Sequence, residues 1–288
     1  MVHFEDIKCT CCPEGSKAKL YIANSIAENL IRTKKAVSKQ DWDYMAIISG
    51  TPGVGKSTFA QALAKFLDPT FEVDRICFTG TEFREKTTLG SKGQAYVLDE
   101  SFADMNTSLS KDPEFIATVN HMQLIRQKNL FLILVLPDFF SLSKNIAIFR
   151  ASHLFVPYSE DYSHGDVAVF DREAKRELYI KGKQFLNYQA YPPNFRCDFQ
   201  MHWFVDEEEY KRRKEQHLVE QAKVKEKGQK AAAIRDILAA VISNELDWTY
   251  EQIGSVAHSP KSTVEGWVQR GRKRLNPEEE RETSTKLV

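Results

Sequence analysis

The chain has 288 residues, 42% apolar and 28% charged, the balance of a soluble globular protein with room for one large domain and a small one. Its 40 basic and 40 acidic residues cancel, so no global field draws it to nucleic acid or membrane, and any such attraction has to be local. The most apolar run, LFLILVLPDFF (130–140), is too short to span a bilayer and is broken by Pro137, so no membrane partner is expected.

In the N-terminal segment, 1–43, the first fifteen residues lack an apolar core and begin with mixed charge, which argues against a secretory signal. Five cysteines make an odd count that does not resemble a secreted disulfide framework, so a cytoplasmic, reducing location is expected. Three of them, Cys9, Cys11 and Cys12, form a C-x-C-C cluster. That spacing is poor for tetrahedral zinc. Reduced thiols and a small knuckle borrowing His3 both stay open. IRTKKAVSKQ (31–40) reads as a solvated helix end.

From 44 to 205, short apolar runs alternate with helical stretches, the pattern of a parallel sheet covered by helices. The runs are YMAIIS (44–49), RICFTG (75–80), AYVLDE (95–100), LFLILVL (130–136) and SHLFVPY (152–158). None alternates, as expected of strands buried on both faces. KSTFAQALAKFL follows the first run, and DPEFIATVNHMQLIRQKN, entered through Asp112-Pro113, precedes the fourth. Residues 166–182 are expected to form a β-hairpin and 195–205 a further strand, so that 166–205 is a β-hairpin extension. A charged linker helix (206–230), a three-helix segment (231–276) and a flexible tail (277–288) complete the chain.

The strongest motif is Gly50-Thr51-Pro52-Gly53-Val54-Gly55-Lys56-Ser57, followed by Thr58, which fits G-x-x-x-x-G-K-[ST] between an apolar strand and an amphipathic helix. The glycines let backbone N–H groups turn inward as an anion nest at a helix N-terminus. Lys56 would reach the outer phosphates of ATP, and the Ser57 hydroxyl would bind Mg²⁺. An α/β P-loop fold with ATP and Mg²⁺ as cofactors is the expectation.

The second motif, QAYVLDES (94–101), resembles the Walker B strand of the additional-strand, catalytic-glutamate P-loop ATPases. The resemblance implies that Asp99 holds Mg²⁺ and that Glu100 polarises the attacking water. The order of strands from residue 44 to about 210 resembles the AAA+ and RecA-like arrangement. Within it, the compact mobile-element ATPases related to zonular-occludens-like and FtsK/HerA-like DNA pumps are most similar. Relatives carry a polar sensor at the end of the fourth strand, where this chain has Pro137 and Asp138, with Ser141 close by. Arg150 stands where an AAA+ arginine finger would reach a neighbouring subunit, which implies a homo-oligomer. It equally fits a helix C-terminal arginine favoured by the dipole. Arg126 is a second candidate.

The segment 231–275 resembles the helix-turn-helix of sigma factor region 4, with Ile253, Val256, Val264, Trp267, Val268 and Leu275 as its expected core. By that resemblance, Lys261, Ser262, Thr263 and Glu265 open a recognition helix, while Arg270, Arg272, Lys273 and Arg274 lie near phosphates of double-stranded DNA. The combined expectation is an ATP-hydrolysing DNA motor. The alternatives are an ATP-gated DNA-binding regulator and a small-molecule kinase using TGTEFREKTTLG (79–90) as its acceptor loop.

Overall fold

The computed structural model describes residues 2–8, 17–99, 113–159, 165–199 and 202–275. The chain forms two compact units that divide after Lys214.

The first unit is α/β. A two-stranded antiparallel ribbon, β1 (Val2–Lys8) and β2 (Lys17–Ala23), precedes helix α1 (Asn24–Lys39). The main sheet then collects β3 (Tyr44–Ser49), β4 (Ile76–Cys77), β5 (Ala95–Asp99), β6 (Phe131–Leu136), β7 (His153–Tyr158), β8 (Asp166–Phe170) and β9 (Phe195–Asp198). Their spatial order is β4-β5-β6-β3-β7-β8-β9. The first five are parallel, and β8 and β9 are antiparallel additions. The sheet therefore ends on β4, two residues long, and β9, four.

Side-chain alternation explains the uninterrupted apolar runs. Tyr44, Ala46 and Ile48 of β3 join one core with α1 and α2 (Lys56–Leu67), while Met45 and Ile47 join the other. That second core is closed by Phe83 of α3 (Gly80–Leu89), Phe115 and Met122 of α4 (Pro113–Leu124), and Leu178 of α5 (Arg172–Gly182). Both faces of a central strand are dry, so neither can be polar.

Two expected elements change. RICFTG shrinks to a two-residue strand because the Thr79 hydroxyl accepts from the Glu82 backbone N–H, which starts α3. The stretch 79–90, considered as an acceptor loop only under the kinase alternative, forms this helix. Residues 166–182 are not a hairpin: β8 ends at Phe170, and Asp171 caps α5 by accepting from the backbone N–H groups of Glu173 and Ala174. Ala174, Leu178 and Gly182 then repeat at four-residue spacing on the buried face. What pairs with β8 is β9, on the far side of that helix.

The charged stretch after residue 206 is helical, the start of α6 (Glu207–Glu245). In the second unit, the end of α6 packs with α7 (Tyr250–Val256) and α8 (Lys261–Leu275) around Ala239, Ala240, Ile253, Val264 and Val268. Thr249 and Gln252 form a capping box that begins α7. Two expected core residues lie outside it: Val256 is 69% exposed, and Leu275 is exposed too. Val256 is the last residue of a seven-residue helix, where the apolar rhythm has run past the helix it describes.

Candidate nucleotide site and helix-turn-helix surface

β3 carries the chain to the carboxyl edge of the sheet, where open α/β folds place their ligands. There Gly50, Gly53 and Gly55 have φ of +154°, +85° and +87°, backbone that residues with a Cβ adopt only under strain. Gly55 is the N-cap of α2, so the loop turns directly into the helix's first turn. A side chain at Gly50 would also meet the Pro157 carbonyl at 2.9 Å. Thr51 and Pro52 are exposed, whereas Val54 and Thr58 are buried and pin the loop's base.

Lys56 is only 4% exposed, and its Nζ donates to the carbonyls of Gly50 at 3.0 Å and Thr51 at 2.9 Å. The ammonium thus lies folded over its own loop. Ser57 Oγ donates to Asp99 Oδ1 at 3.2 Å. Asp99 ends β5, two strands away, with β6 inserted between β5 and β3. The 42-residue separation in sequence is closed by the sheet. Asp99 is 2% exposed, and a carboxylate so deep needs donors. Its second oxygen accepts from the Tyr210 hydroxyl at 2.6 Å.

The hard oxygen donors of Ser57 and Asp99 suit Mg²⁺, and the left-handed glycine cradle with a lysine lying across it suits phosphate oxygens. Glu100 and the cysteines at 9, 11 and 12 lie outside the described residues, as does the side chain of His3.

At the end of β6, the two sensor candidates shape a turn. Asp138 Oδ1 accepts from the Phe140 N–H at 3.0 Å, and Ser141 Oγ donates to the Asp138 carbonyl at 2.7 Å. The group that reaches the end of β3 is Tyr188, whose hydroxyl lies 2.8 Å from Ser49 Oγ and accepts from the Phe139 N–H at 2.8 Å. Burial pushes its hydroxyl up to about 12, so it stays protonated. Tyr188, Tyr158 and Tyr191 also wall a cavity of about 630 Å³ that shares Val156 with the surroundings of Gly50.

Arg150 lies at the opposite edge of the sheet. It ends a π-helix (Asn145–Arg150), is 14% exposed, ion-pairs with Asp43 and donates to the Met122 carbonyl at 3.0 Å. Asp43 directly precedes β3. The guanidinium is thus engaged on both sides within its own chain. Arg126 is exposed and contacts the same Asp43 at 3.7 Å.

In the second unit, Lys261, Ser262 and Thr263 are exposed on the first turn of α8, with Lys261 paired to Glu251 at 2.8 Å. Lys273 and Arg274 are exposed at its far end. Two of the residues expected near phosphates also bond to α6. Arg270 Nε donates to Asp236 Oδ2 at 2.9 Å, and Arg272 donates to Asn244 Oδ1 at 2.7 Å. Both acceptors are on α6. Asp236 is 2% exposed, and hydrogen bonds from Arg270 and Arg235 outweigh its desolvation and hold its carboxyl below the usual range.

The chain matches no family model, no curated protein and no solved structure. The geometry above is therefore the whole basis for a functional reading. Sequence reasoning missed Tyr188 and Tyr210. Their contacts to Ser49 and Asp99 span 139 and 111 residues, and neither tyrosine sits in a recognisable motif.

Proposed function

We propose that this chain is a Mg²⁺-dependent P-loop ATPase of the additional-strand, catalytic-glutamate class that acts on double-stranded DNA as a homo-oligomeric motor. The supporting observation is the meeting of Ser57 and Asp99 at 3.2 Å across an inserted strand, beside a glycine loop covered by Lys56. Ser57 and Asp99 would hold Mg²⁺, which supplies charge neutralisation at the outer phosphates. Lys56 would exchange its two loop carbonyls for phosphate oxygens. The tyrosine-walled cavity beside Gly50 would take the planar base by stacking. Glu100, next in chain to Asp99, would orient the attacking water.

The exposed first turn of α8 would meet base edges, with Lys273 and Arg274 at phosphates. Steady-state ATP hydrolysis with and without long duplex DNA tests the reading. Lys56→Ala should lower turnover by at least about 100-fold while leaving DNA binding intact; wild-type turnover in that variant would overturn the assignment. Alanine at Lys261, Ser262, Thr263 and Arg274 together should remove stimulation by DNA.

One observation favours a second reading, the ATP-gated regulator. Arg150 is locked within its own chain, so the trans-acting group that would make neighbouring subunits cooperate in hydrolysis is not identified among the described residues. Slow turnover indifferent to DNA length, with DNA affinity altered by bound nucleotide, would select it.

A further inference from the structure

Besides Tyr188, the site contains a second group that the ATPase motifs do not account for. Tyr210 lies in the first turn of α6, beyond the last strand of the sheet, yet its hydroxyl is buried against Asp99. The chain arranges this deliberately. Asp206 opens α6 by accepting from the Glu209 N–H at 3.0 Å, and Glu207, Glu208 and Glu209 favour that end of the helix dipole. The Tyr210 ring packs between Trp203, 4.9 Å away, and Phe78, 5.6 Å away. Arg213, three residues later, lies over Phe78 and pairs with Glu82 of α3 at 2.6 Å. A helix start fixed at this many points has little freedom, so the hydroxyl is presented at one position.

We propose that Tyr210 is a positioning residue for the metal site: it orients the Asp99 carboxylate for Mg²⁺. This rests on the P-loop ATPase reading above. Two donors hold Asp99 from different directions, Ser57 at Oδ1 and Tyr210 at Oδ2, and together they fix the plane of the carboxylate. A hydroxyl-to-carboxylate bond of 2.6 Å is in the short, charge-assisted range. Lys214 Nζ, 3.3 Å from the same hydroxyl, donates to its oxygen and makes the proton a better donor toward Asp99. Ser57 would turn its oxygen toward the metal, and Tyr210 would remain as a contact that restrains Asp99 from rotating. Outer contacts of this kind change metal affinity by about 10- to 100-fold when removed.

The test is ADP binding to the full chain by titration calorimetry, once with Mg²⁺ and once with a chelator. Tyr210→Phe keeps the ring and its packing and removes only the hydroxyl. It should leave metal-free ADP affinity unchanged and weaken the Mg²⁺-dependent part by about 10-fold. Arg213→Gln loosens the same helix start without touching Asp99 and should keep the Mg²⁺-dependent part. Equal Mg²⁺ dependence in Tyr210→Phe and wild type would overturn the role of Tyr210 alone. So would the same loss in Arg213→Gln, because it would be a general loosening of α6. A wild-type chain whose ADP affinity ignores Mg²⁺ would instead bring down the reading of the site itself.

Discussion

The two units handle polar groups in opposite ways. In the α/β unit, the groups that define the candidate site are buried and interlocked: Lys56 on two loop carbonyls, Ser57 and Tyr210 on Asp99. In the helical unit, the candidate DNA-contacting residues of the first turn of α8 are exposed, and the buried polar network around Asp236 is scaffold. A site meant for a small, highly charged ligand needs preorganised donors in a dry setting. A surface meant for a long polyanion needs charge that water already reaches. The contrast matters for reading basic residues. Arg270 and Arg272 look like phosphate ligands in sequence but are engaged with α6, where their loss would be felt as instability.

The contrast can be broken most strongly at Gly271. Any Cβ there would overlap the Asp236 carbonyl and crowd Ala240, so α8 meets α6 only because this position has no side chain. Gly271→Val should destabilise the helical unit by about 3 kcal/mol, read as loss of its thermal transition by circular dichroism. Retention of a wild-type transition would mean that the helices do not approach so closely.

A smaller effect is expected at Arg150. Removing it takes the close ion pair from the mostly buried Asp43, which keeps the 3.7 Å contact to the exposed Arg126, and removes a donor from the Met122 carbonyl, so Arg150→Ala should cost about 2 kcal/mol in denaturant midpoint experiments. A variant that kept full stability but lost turnover would favour the proposed finger and a cooperative oligomer.

The mildest effect concerns pH. Burial of the His153 ring, with Nδ1 3.1 Å from the Tyr44 hydroxyl, pulls its pKa down from 6.5 to about 4. The unfolded chain therefore takes up a proton that the folded chain refuses between those values. Stability contributed by the neutral ring is complete above pH 6.5 and is lost as pH falls toward 4. His153→Gln should flatten the acid limb of the stability curve. An unchanged limb would assign the acid sensitivity to carboxylates.

Much of the fold was legible because parallel strands buried on both faces leave an unmistakable apolar signature. YMAIIS, the Asp99 strand, LFLILVL and the strand ending at Tyr158 all appear within a residue of their expected limits. The hairpin expected at 166–182 failed because an Asp171 cap and a four-residue helical repeat were read as a polar turn and a returning strand. The glycine loop was legible for a different reason: its left-handed backbone demands particular residues at adjacent positions. Tyr188 and Tyr210 were not, because a single tyrosine delivered from a distant segment leaves no local pattern. Val256 shows the reverse error, an apolar residue that fits the rhythm yet stands in water.

The ends of the main sheet carry one more consequence. Its outermost strands offer an incoming chain two residues of ladder at β4 and four at β9. Short edges are the usual defence against strand-to-strand aggregation. At the two ends of the main sheet an incoming strand would therefore find little backbone to pair with, and contacts made there would have to use side chains.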